Sequence, residues 1–129
     1  MPSHYDDIAA EDNFEMAEQW IAARNPEKAV EHLKKTIDLN PHFIFAYITL
    51  ARTLSGMGRH DEAFHVMKRA EREDPEFDYL FFLAAKFAFR QGDLIAAHRH
   101  MELAAQKSPR PHYRTALAVI ERARRETRR

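Results

Sequence analysis

An interval of 34 residues recurs along this chain of 129 and narrows sharply what it can fold into. Pro41, Pro75 and Pro109 stand 34 apart, each preceded by a short polar residue: Asn40, Asp74 and Ser108. Ala29, Ala63 and Ala97 keep the same interval, as do Ala17, Ala51 and Ala85, and Gly58 and Gly92 are one period apart. Columns that stay in one register mark stacked copies of a single unit, none of which could bury its apolar face alone.

Each column has a physical task. Glycine reaches the left-handed conformation that ends a helix inside a tight turn. The first unit has Arg24-Asn25 at that point, and asparagine is the next most tolerant residue there. The polar-Pro pair ends the second helix, because the residue before proline is pushed out of the helical region. Proline is then acceptable near the start of the next helix. Alanine lets two helices approach closely. Between these marks the pattern is helical. In Glu27–Leu39 the residues Ala29, Val30, Leu33, Thr36 and Ile37 form one stripe, with Glu31 and Lys35 paired outside it. Asp61–Glu73 repeats this with Ala63, Phe64, Met67 and Ala70. No segment alternates as a half-buried strand would. After Pro109, residues 111–129 set Tyr113, Leu117, Ile120 and Ala123 on one face and Arg114, Glu121, Arg122 and Arg125 on the other. A half-polar helix of this kind closes the open end of a helical stack.

Composition bounds the function. Apolar residues at 45% are too many for a disordered chain. The absence of cysteine excludes disulfides, thiolate metal sites and thiol nucleophiles. The N-terminus carries acidic residues and no apolar stretch of a secretory signal. The longest apolar run, Tyr79 to Ala85, falls far short of the roughly 20 residues that cross a bilayer. A cytoplasmic protein is expected. The net charge of zero conceals a polarity. Residues 1–43 carry four Lys/Arg against nine Asp/Glu, and residues 110–129 carry seven Arg against two Glu.

The segment Gly58–Pro75, GRHDEAFHVMKRAEREDP, closely resembles the second half of a tetratricopeptide repeat (TPR). Small residues at repeat positions 8, 20 and 27, glycine at 15 and proline at 32 fit residues 10–109 as three consecutive units. The match is imperfect at position 4, usually a large aromatic, where Asn13 stands before Tyr47 and Phe81, and at position 11, where Ala88 follows Trp20 and Leu54. The period differs from that of the RNA-reading pentatricopeptide repeats. The resemblance implies an all-α, right-handed α-solenoid. Its parts would be an N-terminal tail or helix extension at 1–9, repeats at 10–43, 44–77 and 78–111, and a capping helix at 112–129.

The resemblance also implies a concave groove lined by the first helix of each repeat. Positions 2, 5, 9, 12 and 13 would face it: Glu11, Phe14, Glu18, Ile21 and Ala22, then Phe45, Ile48, Arg52, Ser55 and Gly56, then Tyr79, Phe82, Lys86, Phe89 and Arg90. The cap would add Tyr113 and Ile120. Helix Asp78–Arg90 is apolar on nearly every side. Packing between repeats satisfies Leu80, Phe81, Ala84, Ala85 and Ala88. Tyr79, Phe82 and Phe89 are then left as an exposed patch of the kind that marks an interaction surface, unless the cap or the N-terminal segment folds over them. Arg52, Lys86 and Arg90 form a basic ladder beside these rings. The expected partner is a polypeptide segment with apolar anchors and acidic character, held by an adaptor or small chaperone. Chaperone-binding TPRs grip a C-terminal carboxylate with Lys, Arg and Asn, but the matching positions here are Phe14, Glu18, Thr49, Tyr79 and Leu83. Binding to such chaperone tails is not expected.

Other constellations carry less. Of the eight histidines, His98 and His100 diverge around a helix, and His98 with Glu102, or His60 with His65, gives at most two ligands. They read as surface residues, so neither a metal nor a cofactor is expected. There is no glycine-rich phosphate loop, GxSxG or HExxH, and no catalytic role is expected. The terminal arginines lack the interleaved aromatics of a nucleic-acid reader, and positive charge at a helix C-terminus is favoured by the helix dipole alone. The alternative to a groove-binding adaptor is a self-assembling scaffold, a homo-oligomer joined through its acidic first and basic last helices.

Overall fold

The structure, a computed structural model, describes residues 4–128. Seven helices follow one another among these residues, with no strand: α1 (His4–Ala22), α2 (Pro26–Leu39), α3 (Ile44–Gly56), α4 (His60–Glu73), α5 (Asp78–Gln91), α6 (Leu94–Lys107) and α7 (Pro111–Thr127). Each packs on its neighbours in chain order, giving three antiparallel pairs and a final single helix. α1 already runs at His4, so the described part of the N-terminal segment extends the first helix. Residues 1–3 and Arg129 lie outside the described residues. None of the described helices is long and apolar enough to cross a membrane.

The stripe expected on α2 is the buried one: Ala29, Val30, Leu33, Thr36 and Ile37. On α4, Ala63, Met67 and Ala70 are buried and Phe64 is half-buried. The 34-residue alanine columns are fully enclosed, where a methyl group is the largest substituent that close helix packing admits. Gly58 and Gly92 end their helices with φ of 80° and 90°, and the residue in the same column of the first repeat is Arg24, with φ of 60°. Arg24, not Asn25, therefore takes the left-handed turn. Asn25 instead caps α2, its side chain accepting from the Lys28 N–H at 3.2 Å. Pro41 and Pro75 stand in the turns, three residues before α3 and α5 begin.

Two hydrophobic clusters make the core, and α5 belongs to both. Leu80, Leu83, Ala84 and Phe87 join the cluster that runs back to α1. Phe81, Ala85 and Ala88 join Met101, Ala104, Tyr113 and Ile120 of α6 and α7. Tyr113 and Ile120 were expected to line the groove, but they are only 1% and 3% exposed. An uncapped stack would leave the last repeat wet, so the cap spends its apolar face on the core at about 1.5–3 kcal/mol per large side chain.

A polar latch fixes where α7 begins. The Tyr113 hydroxyl donates to Asp78 Oδ2 at 2.5 Å, and Arg110 Nε donates to the same oxygen at 2.9 Å. Burial raises the Asp78 carboxyl pKa, but the bonds from Tyr113 and Arg110 outweigh it and leave the group more acidic than usual. Burial, and next the bond to Asp78, push the Tyr113 phenol above its ordinary range, so it keeps its proton.

His100 is not a surface residue. It is buried between Phe64, edge-on at 5.1 Å, and Phe81, stacked at 6.2 Å. Its Nδ1 faces Glu71 Oε2 at 3.0 Å, and neither atom has another polar partner in the structure. His98 bridges Glu102 of its own helix and Glu121 of α7, at 3.2 and 3.3 Å. Both histidines thus tie helices together.

The shared left-handed position predicts opposite outcomes for two substitutions. Arg24→Gly should stabilise the chain and Gly92→Ala should destabilise it, each by about 1–2 kcal/mol in urea unfolding. The latch predicts a pH dependence. A carboxyl that is more acidic folded than unfolded adds stability above about pH 4 and withdraws it as the pH falls through its folded pKa. Asp78→Asn should cost about 1–3 kcal/mol near neutral pH, and the gap to wild type should close as the medium becomes strongly acidic.

Candidate functional site

The buried faces of α5 determine which side chains remain outside. Tyr79, Phe82, Lys86 and Phe89-Arg90 recur at intervals of three and four residues, one stripe along the helix. Arg52 reaches this stripe from α3: its Nη2 donates to the Tyr79 hydroxyl, and its guanidinium carbon lies 5.9 Å from that ring's centroid. Tyr79 stacks on Phe82 at 6.0 Å, and Phe82 stacks in turn on Tyr113 of the cap at 5.0 Å. His112 meets Phe82 edge-on at 5.3 Å. Tyr79 and Phe82, expected to lack partners, are therefore half-buried in a ring stack that the cap completes. The floor is aromatic but pre-packed.

Above it lies positive charge. Lys86 Nζ sits 5.5 Å from the Phe82 centroid. Burial lowers the Lys86 pKa most, and the nearby charges of Arg90 and Arg52 lower it further. Arg90 Nη1 donates to Ser55 Oγ at 2.9 Å, and that hydroxyl lies 2.8 Å from His60 Nδ1. Ser55, placed in the groove by its repeat position, is buried and serves as the seat for Arg90. The ion pairs among the described residues all lie elsewhere, so Arg52, Lys86 and Arg90 have no carboxylate within bonding distance.

The remaining expected site residues divide. Phe45 is 65% exposed and Phe89 is 37% exposed, both free to contact a ligand. Glu18 is exposed on α1. Phe14 is half-buried and stacks on Phe43 at 5.0 Å. Ile48 is only 6% exposed, because it joins the core cluster on which Tyr79 and Phe82 also pack. It supports the floor from beneath and offers a ligand almost nothing. For Phe82 the alternative reading of the sequence holds, in which the cap folds over the rings: His112 and Tyr113 provide that cover. One signal was available: 34 residues beyond Tyr79 stands Tyr113, so the cap keeps the repeat register.

Among the described residues, no cluster of His, Asp and Glu could hold a metal ion. Ser55 and His60 are in contact, but the hydroxyl is buried and already engaged by Arg90.

Comparison with known proteins agrees with this architecture. Residues 21–75 match the tetratricopeptide repeat family model. No curated protein sequence gives a significant match. Among solved structures, the N-terminal domain of stress-induced protein-1 (STI-1) from C. elegans superposes with a TM-score of 0.86 at 19% identity, covering 92% of this chain and 99% of that one. The Yersinia enterocolitica type III secretion chaperone SycD, in complex with a peptide of the translocator YopD, superposes with a TM-score of 0.77 at 19% identity, covering 88% and 93%. The first TPR of Spaghetti (RPAP3), bound to the HSP90 peptide SRMEEVD, gives 0.80 at 14% identity, covering 91% and 94%. Residues 21–75 thus carry a tetratricopeptide repeat signature, and nearly the whole chain shares the all-α solenoid fold of tetratricopeptide repeat domains, here as three helix pairs and a final capping helix.

Proposed function

We propose that this chain is a non-catalytic protein-binding module, an adaptor or small cytoplasmic chaperone, that holds a partner polypeptide against the face formed by α1, α3 and α5. The observation that carries the reading is the cluster of Arg52, Lys86 and Arg90 on an aromatic floor, with no carboxylate partner among the described residues. Cations crowded together repel one another, and a bound carboxylate relieves that repulsion while gaining charge-assisted hydrogen bonds. Phe45 and Phe89 supply apolar contact beside them. Similar folds hold a translocator peptide in SycD and an HSP90 peptide in RPAP3. Phe14, Glu18, Thr49, Tyr79 and Leu83 stand here where a chaperone-tail clamp needs Lys, Arg and Asn, so the partner belongs to another class.

A second reading rests on the two ends. The outer flank of α1 exposes Ile8 and Met16 among Asp12, Glu15 and Gln19, while that of α7 exposes Arg114, Ala118, Arg122 and Arg125. These faces are complementary in charge, and head-to-tail contact between copies would build a scaffold.

The adaptor reading predicts that Arg52→Glu/Phe89→Ala, which alters two exposed side chains, stays folded by circular dichroism. In a pull-down from source lysate it should lose a distinct protein that the wild type captures, and equal capture by both would sink the groove assignment. The scaffold reading predicts concentration-dependent assembly by light scattering that dissolves as salt rises. A salt-independent dimer, or a monomer throughout, would contradict it.

A further inference from the structure

Two cavities share the cations of the cluster in their linings, one between α1 and α3 and the other between α5, α6 and α7. The larger, about 490 Å³, lies between the C-terminal ends of α1 and α3, walled by Ile21, Thr49, Thr53 and Met57, with Arg24 and Arg52 both in its lining. The smaller, about 200 Å³, lies between α5, α6 and α7, walled by Phe89, Met101, Val119 and Ile120, with Lys86 and Arg90 in its lining. Each leaves apolar side chains to water: Ile21 is 40% exposed beside the first, and Val119 is 53% exposed beside the second. Such concave apolar sites with a few polar groups at the margin are where side chains of a ligand lodge.

The charges between the cavities belong to one group. Arg52 lines the first and Lys86 and Arg90 the second, yet Lys86 feels both arginines. No Asp or Glu of the described residues pairs with any of them. The α1 end of the same face carries exposed Glu11 and Glu18, which repel an acidic residue placed beyond the first cavity. An acid on the ligand is thus favoured most between the two cavities, where three cations meet, because beyond the first the single charge of Arg24 is offset by Glu11 and Glu18.

Resting on the groove reading above, we infer that the partner segment presents its chemistry in a fixed order: an apolar side chain for the cavity between α1 and α3, one or more carboxylates for Arg52, Lys86 and Arg90, then an apolar side chain for the cavity between α5 and α7. At about 490 Å³ against about 200 Å³, the cavity between α1 and α3 takes the bulkier of the two apolar side chains. Order along the segment, and not composition alone, sets which polypeptides bind.

The test uses a random peptide library displayed on phage and selected on the full chain. Enriched peptides are resynthesised with a fluorescein label and titrated by anisotropy. The enriched sequences should carry Asp or Glu between two apolar residues, and replacing that acid by Lys should weaken binding at least about tenfold. Ile21→Glu and Val119→Glu, both at exposed positions and checked for folding by circular dichroism, should each weaken it by about tenfold. Peptides that lose affinity for Arg52→Glu/Phe89→Ala yet ignore Ile21→Glu and Val119→Glu would overturn the ordered pattern and leave the groove reading standing. Equal affinity with the acid moved outside the two anchors would do the same. Peptides indifferent to Arg52→Glu/Phe89→Ala, or a library that yields no binder, would overturn the groove reading and this inference with it.

Discussion

Helix α5 has almost no side to spare for water, and the rest of the molecule is arranged around that fact. Leu80, Leu83 and Phe87 fill the core shared with α3 and α4, while Phe81, Ala85 and Ala88 fill the one shared with α6 and α7. A helix apolar nearly all round must be enclosed nearly all round. α7 is thereby required: without Tyr113 and Ile120 the second cluster would lie open. The only stripe α5 keeps for the outside is Tyr79, Phe82, Lys86, Phe89 and Arg90, and the candidate site follows from what burial leaves over.

What sets that stripe apart is that three cations meet there, whereas Lys28, Lys68, Arg69 and Lys107 each sit singly over a ring. Asp78 is matched by Tyr113 and Arg110, His98 by Glu102 and Glu121, and buried His100 by Glu71. Apart from His98–Glu102, which lies within α6, these contacts join one element to another and serve the fold. Arg52, Lys86 and Arg90 are instead supported by rings and hydroxyls, from Tyr79, Phe82 and Ser55, which hold cations in place without neutralising them. Aromatic faces attract cations, so the floor both positions the charges and leaves their outward sides free for an anion.

Much of the architecture was legible in the sequence because it depends on local rules. The proline and glycine columns follow from backbone sterics, and the alanine columns from helix–helix distance; the buried stripe of α2 is read directly from helical spacing. The details that were not legible depend on neighbours distant in the chain. Repeat position alone puts Ile48 and Ser55 on the exposed face, but contacts with the following repeat bury both. Asparagine is the expected left-handed residue of the first turn, yet the geometry of the helix pair fixes the column at Arg24 and gives Asn25 the cap. Whether Tyr79 and Phe82 are open or covered by the cap stays undecided in the sequence, because nothing in their own helix tells where α7 lies. The two cavities have no sequence signature at all, since each is a gap between helices.

The central claim, that partners bind the α1–α3–α5 face, is tested most directly by where contacts form. Phe45 on that face and Ile95 on α6 are both large apolar residues left to water, 65% and 70% exposed. They differ in location far more than in stickiness. A photo-crosslinking amino acid placed singly at Phe45, Phe89 and Ile95, and irradiated in source extract, reports which surface is occupied. The account predicts a discrete crosslinked species from Phe45 and Phe89 and none from Ile95. Crosslinks from Ile95 equal to those from Phe45, or from Ile95 alone, would contradict it.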